Sequence, residues 1–498
     1  MNEGVTDVTT TIPQWLLKRA NLTPETTAIQ LADGTAYSFA TLYHDAVRKA
    51  EQLKQIGINK GDHIAVLSRN SYDMVTTIHA LTFLKAVAVL LNTRLTAEEL
   101  TFQITDADCT ILLYDDTFRD LVEQINFRKS IHTYSFIEMK QLQGHQVTFE
   151  EELELDDTVT IMYTSGTTGK PKGVQLTYGN HWWSAISSSL NLGLHREDRW
   201  LAALPLFHVG GFSILIRSVI YGIPIHLHEK FSANQVHQEI MNNEVTTVSV
   251  VSTMLEGLLQ ELGDRTYPET FRCMLLGGGP ASQSMLERCA KKGVPVYQTY
   301  GMTETSSQVV TIREEDALRK LGSAGKPLFP VQLRIVKNNV VVPTGVAGEI
   351  IVKGPMVTKG YYKREETNRK SIENGWLKTG DVGYVDEEGF LYVLDRQKDL
   401  IISGGENVYP AEVEGVLKTI PGILDAGVIG KSDDKWGQIP VAFIVKNNTG
   451  LTVDQIVESC KGRLAKYKVP KEVYFVDELP RNASRKILRR KLYQLLKP

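Results

Sequence analysis

The stretch Thr164-Ser165-Gly166-Thr167-Thr168-Gly169-Lys170-Pro171-Lys172-Gly173 concentrates small hydroxyl side chains, glycines and lysines, and it follows a β-branched run at residues 158–163. Phosphate oxygens need that combination: backbone N–H groups at close range, hydroxyl donors and positive charge. A flexible surface turn is the plain alternative, but turns have no need of so many hydroxyls beside two lysines. The loop is not of Walker type. That type puts four residues between its first glycine and the Gly-Lys pair, then Ser or Thr, whereas Gly166 and Gly169 are separated only by Thr167-Thr168 and Pro171 follows Lys170.

Other residues could act beside such a loop. Gly277-Gly278-Gly279-Pro280 follows the apolar run 273–276, where a bare backbone lets a flat ligand approach; a tight turn is the other reading. Gln298-Thr299-Tyr300-Gly301-Met302-Thr303-Glu304-Thr305 leaves a strand-like run at 294–297. Tyr300 offers a stacking face, Thr303 a hydroxyl for phosphate and Glu304 a hard oxygen ligand for magnesium, although a glutamate after a strand is commonly solvated. Arg217 stands inside the apolar helical stretch 214–220 and shares a face with Ser213 four residues earlier. An arginine there needs an anion or must snorkel to water. A fatty acid has no second carboxylate to offer it; a dicarboxylic acid does.

These residues must be held by regular elements. Ser38 can cap a helix in which Leu42, Ala46, Ala50 and Leu53 recur at helical spacing until Gly57. Residues 63–67 and 86–91 read as buried strands around a helical stretch at 71–84, and 246–251 and 273–276 flank another at 254–262. The pattern predicts doubly wound α/β subdomains. Beyond about Ala324 short β-rich segments with turn signals at Asn374-Gly375 and Glu388-Gly389 predict a small β subdomain. Residues 390–394 and 400–402 read as paired strands, and Pro410 opens a helix through Leu417. Strands at 426–429 and 441–445 and a helix at 453–464 complete a smaller α+β domain. The expected division is 1–394 and 395–498.

At 498 residues the chain exceeds one ordinary core, so a cleft between units is expected. A formal charge of -3 argues against a nucleic-acid binder. The basic run Lys486, Arg489, Arg490, Lys491 reads either as a solvated helix face or as a phosphate-facing one. Cys109, Cys273, Cys289 and Cys460 are scattered, which suggests neither zinc site nor disulfide framework and suits a reducing cytoplasm. Residues 1–15 lack a signal-peptide pattern, and the nearest approach to a membrane span, 212–220, is interrupted by Arg217, so no stable membrane association is expected. A homo-oligomer is compatible with the sequence.

From about Trp15 to Leu495 the chain resembles the adenylate-forming superfamily of acyl-CoA synthetases, nonribosomal-peptide adenylation domains and luciferases, the loop 164–173 being among its most specific motifs. The resemblance implies ATP, Mg2+ and coenzyme A as ligands and a carboxylic acid converted to its acyl-adenylate, then to a thioester. It implies that Thr164, Ser165, Gly166, Thr167, Thr168 and Lys172 hold phosphates. Gly278, Gly279, Pro280, Thr299, Tyr300, Gly301 and Thr303 would surround the nucleotide, and Glu304 would meet the metal. Asp381 would accept both ribose hydroxyls, as one carboxylate can, with Arg396 as the second ribose contact. Leu204 to Gly211 looks like the acid-pocket entrance with His208 as gate, and Ser213, Arg217, Gly277 and Met302 would line the pocket. Lys398 resembles the hinge, Gly404, Gly405 and Glu406 the lining of the pantetheine tunnel, and Lys486 the lysine of adenylation, with Arg485 where the family usually has glycine. Gly179-Asn180-His181-Trp182, Trp200 to His208 and Tyr300 to Gln308 are similar to members that take 2-succinylbenzoate for menaquinone formation. The alternatives in the same superfamily are a medium-chain fatty acid or benzoate ligase, and more remotely a luciferase-like oxygenase or a non-catalytic acyl-adenylate binder. A peptide-synthetase module would continue into a carrier domain beyond Pro498.

Overall fold

The computed structural model describes residues 10–127, 131–164, 171–242, 244–278, 283–396, 400–447, 450–481 and 487–496. Ser38 caps the helix Phe39–Gln55 by accepting from the Thr41 N–H, and Leu42, Ala46, Ala50 and Leu53 are buried along one stripe. Ser71 caps Tyr72–Phe83 in the same way, and that helix connects the parallel strands His63–Leu67 and Val87–Leu90. The strand Thr158–Thr164 pairs parallel to Val87–Leu90, and Lys172–Thr177 returns antiparallel so that Thr164 stands opposite Lys172.

A second parallel set runs in the order Thr27–Leu31, Ile225–Leu227, Trp200–Ala202, Thr247–Val250, Cys273–Leu276, Val296–Met302. The helices Val209–Tyr221, Ala233–Met241, Ser252–Leu262 and Gln283–Lys291 are among its crossovers. One apolar cluster joins the two sets, with Val66 and Leu90 from the first against Ile29, Ile225 and Leu275 from the second. The doubly wound expectation thus holds, as two α/β layers sharing a core.

The β subdomain is present but not detached. Val296–Met302 outruns its parallel neighbour, and Ser307–Thr311 folds back on it, Gly301 opposite Gln308. Pairing then continues through Ser323–Pro327 and Leu391–Arg396 to Trp376–Val385, Gly348–Lys353 and Gln332–Lys337. The reversal uses a left-handed Ser306, φ 51°, and requires glycine at 301, where a Cβ would lie 2.0 Å from the Ser307 carbonyl oxygen.

One expectation is corrected. The runs 390–394 and 400–402 do not pair with each other: Leu391–Arg396 lies between Ser323–Pro327 and Trp376–Val385, whereas Ile401–Ser403 pairs with Glu406–Val408 and Gly437–Lys446. The chain passes from one sheet to another between them, and each run is apolar because it is buried in its own core, Leu391 with Val352 and Ile401 with Val428. In the smaller unit the strands Ile423–Asp433 and Gly437–Lys446 form a longer hairpin than expected, and the helix Val453–Lys461 stops short of Leu464. Among the described residues no helix is long and apolar enough to cross a membrane. All four cysteines are free and buried.

Gly301→Ala should therefore cost about 2–4 kcal/mol, because backbone rather than a flexible side chain must yield. A denaturant midpoint within error of the parent protein would contradict the tight reversal.

Candidate active site

Both parallel sets end on one cleft of about 1820 Å³, outside the carboxyl ends of the strands, where α/β folds commonly place ligands. The first set delivers Thr164 and Lys172 to its wall. Burial draws the Lys172 ammonium below its ordinary value, against the pull of the Glu304 carboxylate, and the ammonium lies 5.2 Å from the Tyr361 ring centroid. Ser165, Gly166, Thr167 and Thr168, the rest of the expected phosphate loop, lie outside the described residues. So do Gly279, Pro280, Lys398 and Lys486.

The second set contributes Gly277, Gly278, Thr299, Gly301, Met302, Thr303 and Glu304 to the same wall. Gly278 has φ +78°, and a Cβ on it would press on Val251 at 3.1 Å, so only glycine leaves the backbone bare there. Glu304 sits in the short turn Thr303–Thr305; its Oε1 accepts from the Tyr361 hydroxyl at 3.0 Å and its backbone carbonyl from the Thr358 N–H at 2.8 Å. Both contacts fix the carboxylate on the cleft wall.

Tyr300 points the other way, as strand alternation requires. It is buried, and its hydroxyl donates to Asp381 Oδ2 at 2.7 Å. Asp381 lines the cleft, is itself buried, and stands directly opposite Arg396 in the antiparallel register. The register thus brings together Asp381 and Arg396, which are 15 positions apart in sequence.

In the other arm of the cleft, His208 occupies the N-cap position of Val209–Tyr221, its ring 4.7 Å from that of Phe207. The loop before it is braced by buried Asn70, which donates to the carbonyls of Leu204 and His228 and accepts from the Leu206 N–H. Gly211 permits the close packing of that loop, since a Cβ would meet the Pro205 carbonyl oxygen at 2.2 Å. Ser213 is buried with its hydroxyl donated to the Gly210 carbonyl at 2.9 Å. Arg217 is 1% exposed, so it does not snorkel. Its Nε and Nη2 have no hydrogen-bond partner among the described residues, and the guanidinium carbon lies 5.3 Å from the Trp200 ring centroid. Burial, and then the charge of Arg217, push the His181 imidazole down to about 3, so it is neutral and adds no second positive charge beside the guanidinium. Arg217 thus sets a buried cation on the wall of the cleft, near the carboxyl-end residues of the second set.

The smaller unit closes the cleft with Gly404, Gly405 and Glu406. A Cβ on Gly405 would be 3.3 Å from Val251, so this backbone touches the larger unit. Glu406 is buried among His208 Nε2 at 3.2 Å, Asn92 Nδ2 at 3.2 Å and Arg94 Nη1 at 3.1 Å. Burial alone would raise its carboxyl, but His208 and then Arg94 hold it below the usual carboxylate range. Asn92, Arg94, Asn70 and Tyr361 were not signalled by any local pattern. Of the basic run, Arg489 is not a solvated face: it is mostly buried and pairs with Glu414 at 2.7 Å, both residues lining the cleft from the smaller unit.

The AMP-binding enzyme family matches residues 16–362, and its C-terminal domain matches residues 412–486. A 2-succinylbenzoate–CoA ligase of Bacillus cereus is 54% identical over 486 residues, covering 98% of this chain and 99% of that protein. A double mutant of o-succinylbenzoate CoA synthetase from Bacillus subtilis, bound with its product analogue, is 50% identical, covers 97% of this chain and 99% of its own, and superposes with a TM-score of 0.94. The Bacillus subtilis enzyme in complex with ATP and magnesium ion is 49% identical, covers 97% of this chain and 100% of its own, and superposes at only 0.76.

A buried cation without a partner destabilises the chain that carries it. Arg217→Met should accordingly raise the melting temperature of the ligand-free protein. A fall comparable to that of a core cavity would show that the guanidinium is already satisfied.

Proposed function

The chain belongs to the AMP-binding enzymes, and we propose that it joins 2-succinylbenzoate to coenzyme A with ATP, through an enclosed acyl-adenylate, as a step of menaquinone formation. The observation that carries the choice of acid is Arg217. The ring carboxylate of 2-succinylbenzoate answers the buried guanidinium, while the succinyl carboxylate extends toward the phosphate loop. Benzoate or a fatty acid would leave that charge uncompensated, at a cost of about 3–5 kcal/mol.

In the first step a succinyl carboxylate oxygen attacks the α-phosphorus of ATP and pyrophosphate departs. Thr164 and Lys172, with Ser165, Gly166, Thr167 and Thr168, hold the phosphates; Gly278, Gly279 and Pro280 flank the adenine, with Thr299, Gly301 and Thr303 beside the nucleotide, while Tyr300, turned into the core, acts through Asp381 instead of stacking on the base. Asp381, steadied by the Tyr300 hydroxyl, and Arg396 take the ribose. A single carboxylate beside phosphate oxygens is the donor set magnesium favours, and Glu304, oriented by Tyr361 next to Lys172, fits it. Magnesium bound there would supply neutralisation of the triphosphate charge. Lys486 brings a cation to the oxygens on which charge builds, which favours the transition state over the ground state.

In the second step the smaller unit, which follows the strand Leu391–Arg396 rather than dividing it at 394/395, turns about Lys398. Gly404, Gly405 and Glu406 then border the path of the pantetheine. The thiol sulfur attacks the acyl carbonyl, AMP leaves and a proton is released. His208 separates the thiol path from the acid, held by Glu406, and Gly277, Met302 and Ser213 shape the acid pocket. Free, buried cysteines and the substrates ATP and coenzyme A support a cytoplasmic location.

Initial rates of pyrophosphate release with 2-succinylbenzoate, benzoate and octanoate test the reading. The first should exceed the others by at least ~100-fold in kcat/KM, and Arg217→Met should remove most of that difference through KM. Equal use of octanoate by the parent protein, or an Arg217→Met variant unchanged toward 2-succinylbenzoate, would overturn the choice of acid.

A further inference from the structure

A second set of charges bridges the two units; Lys468 lines the cleft, and Glu99 and Glu412 stand outside its lining. Lys468 Nζ of the smaller unit lies 2.6 Å from Glu99 Oε1 of the larger and 2.7 Å from Glu412 Oε1 of its own. The three side chains are only 4%, 10% and 8% exposed. Burial would lower the Lys468 ammonium, but Glu412 and then Glu99 hold it above its ordinary value, so it remains charged. The surrounding segment docks with it: Ala465 is buried in an apolar cluster of the larger unit with Leu100 and Ile104, and Tyr467 packs against that cluster and the core of the smaller unit alike.

Glu99 is committed on both oxygens. Its Oε2 accepts from the Thr96 N–H and hydroxyl, the capping box of helix Ala97–Asp106, which fixes Oε1 toward the smaller unit. A rotation of the smaller unit carries Lys468 and Glu412 away together. Only the Lys468–Glu99 contact is then broken, so the pair distinguishes one orientation of the units from every other. That orientation superposes at 0.94 on the relative bound with a product analogue and at 0.76 on the same relative with ATP and magnesium.

We infer that Lys468 and Glu99 form a latch that positions the smaller unit for thioester formation and takes no part in adenylation. The inference rests on the two-step reading above. Neither residue touches a reacting atom; both act by holding Gly404, Gly405 and Glu406 against Val251, His208 and Asn92. Lys468 without Glu99 keeps Glu412, so the open orientation has a partner for the ammonium too. The latch is therefore reversible, as a hinge that must turn twice per cycle requires.

Glu99→Gln is the clean variant, because the glutamine amide oxygen can preserve the capping box while an amide NH2, which cannot accept from the ammonium, takes the place of the oxygen that faces Lys468. In the full chain, isotope exchange between pyrophosphate and ATP with 2-succinylbenzoate should stay within about twofold of the parent, while single-turnover conversion of supplied 2-succinylbenzoyl-AMP by coenzyme A slows by ~5–20-fold, the loss of one buried charge-assisted hydrogen bond. Lys468→Met should slow thiolysis further and Lys468→Arg should recover part of it. Adding Glu99→Gln to Lys468→Met should have little extra effect, since the two act as one contact. Thiolysis at the parent rate in Glu99→Gln, or equal loss of both half-reactions, would overturn the latch. No exchange in the parent protein would remove the two-step reading, and the latch with it.

Discussion

A buried guanidinium with no anion among the described residues is a standing imbalance, and Arg217 places it on the wall of the cleft. Among the described residues no hydrogen-bond partner meets its Nε or Nη2. His181 is kept neutral, Trp200 offers only a ring face, and Ser213 donates its hydroxyl to the backbone. In the proposed function the imbalance would make the pocket selective, because the energy that would stabilise an ion pair within the chain is reserved for a ligand that brings a second carboxylate. It also fixes polarity: an acid anchored there by one end can present only its other end to the phosphate side.

The remainder of the site follows from where parallel strands stop. Thr164, Gly277 and Met302 each stand at or just beyond the carboxyl end of a strand, where the backbone leaves the ladder and its groups turn toward the cleft. Val296–Met302 has a second duty, because its antiparallel return ties the β region and Asp381 to the same frame. The smaller unit is held differently, by charges, a thin glycine-containing contact and the docking of Ala465 and Tyr467. Such an interface suits a unit that must leave and come back.

Much of this was legible locally. Ser38 and Ser71 announced helix starts, apolar runs announced buried strands, and the motif residues from Thr164 to Glu304 announced a phosphate site because each is a short-range pattern with its own chemistry. The runs at 390–394 and 400–402 misled because alternation reports burial and not which core does the burying. The choice between snorkelling and burial for Arg217 needed packing. Tyr300 with Asp381, Glu406 with Asn92 and Lys468 with Glu99 are separated by 81, 314 and 369 positions. Contacts that distant carry no periodic signature, and they are the ones that orient the groups the motifs supply.

The central claim is that the acid itself attacks ATP. 2-Succinylbenzoate labelled with oxygen-18 in its carboxylates, turned over with ATP, magnesium and coenzyme A, tests it most directly. The account predicts one labelled oxygen in each AMP released and none in pyrophosphate. Label in pyrophosphate, or AMP free of label, would contradict it.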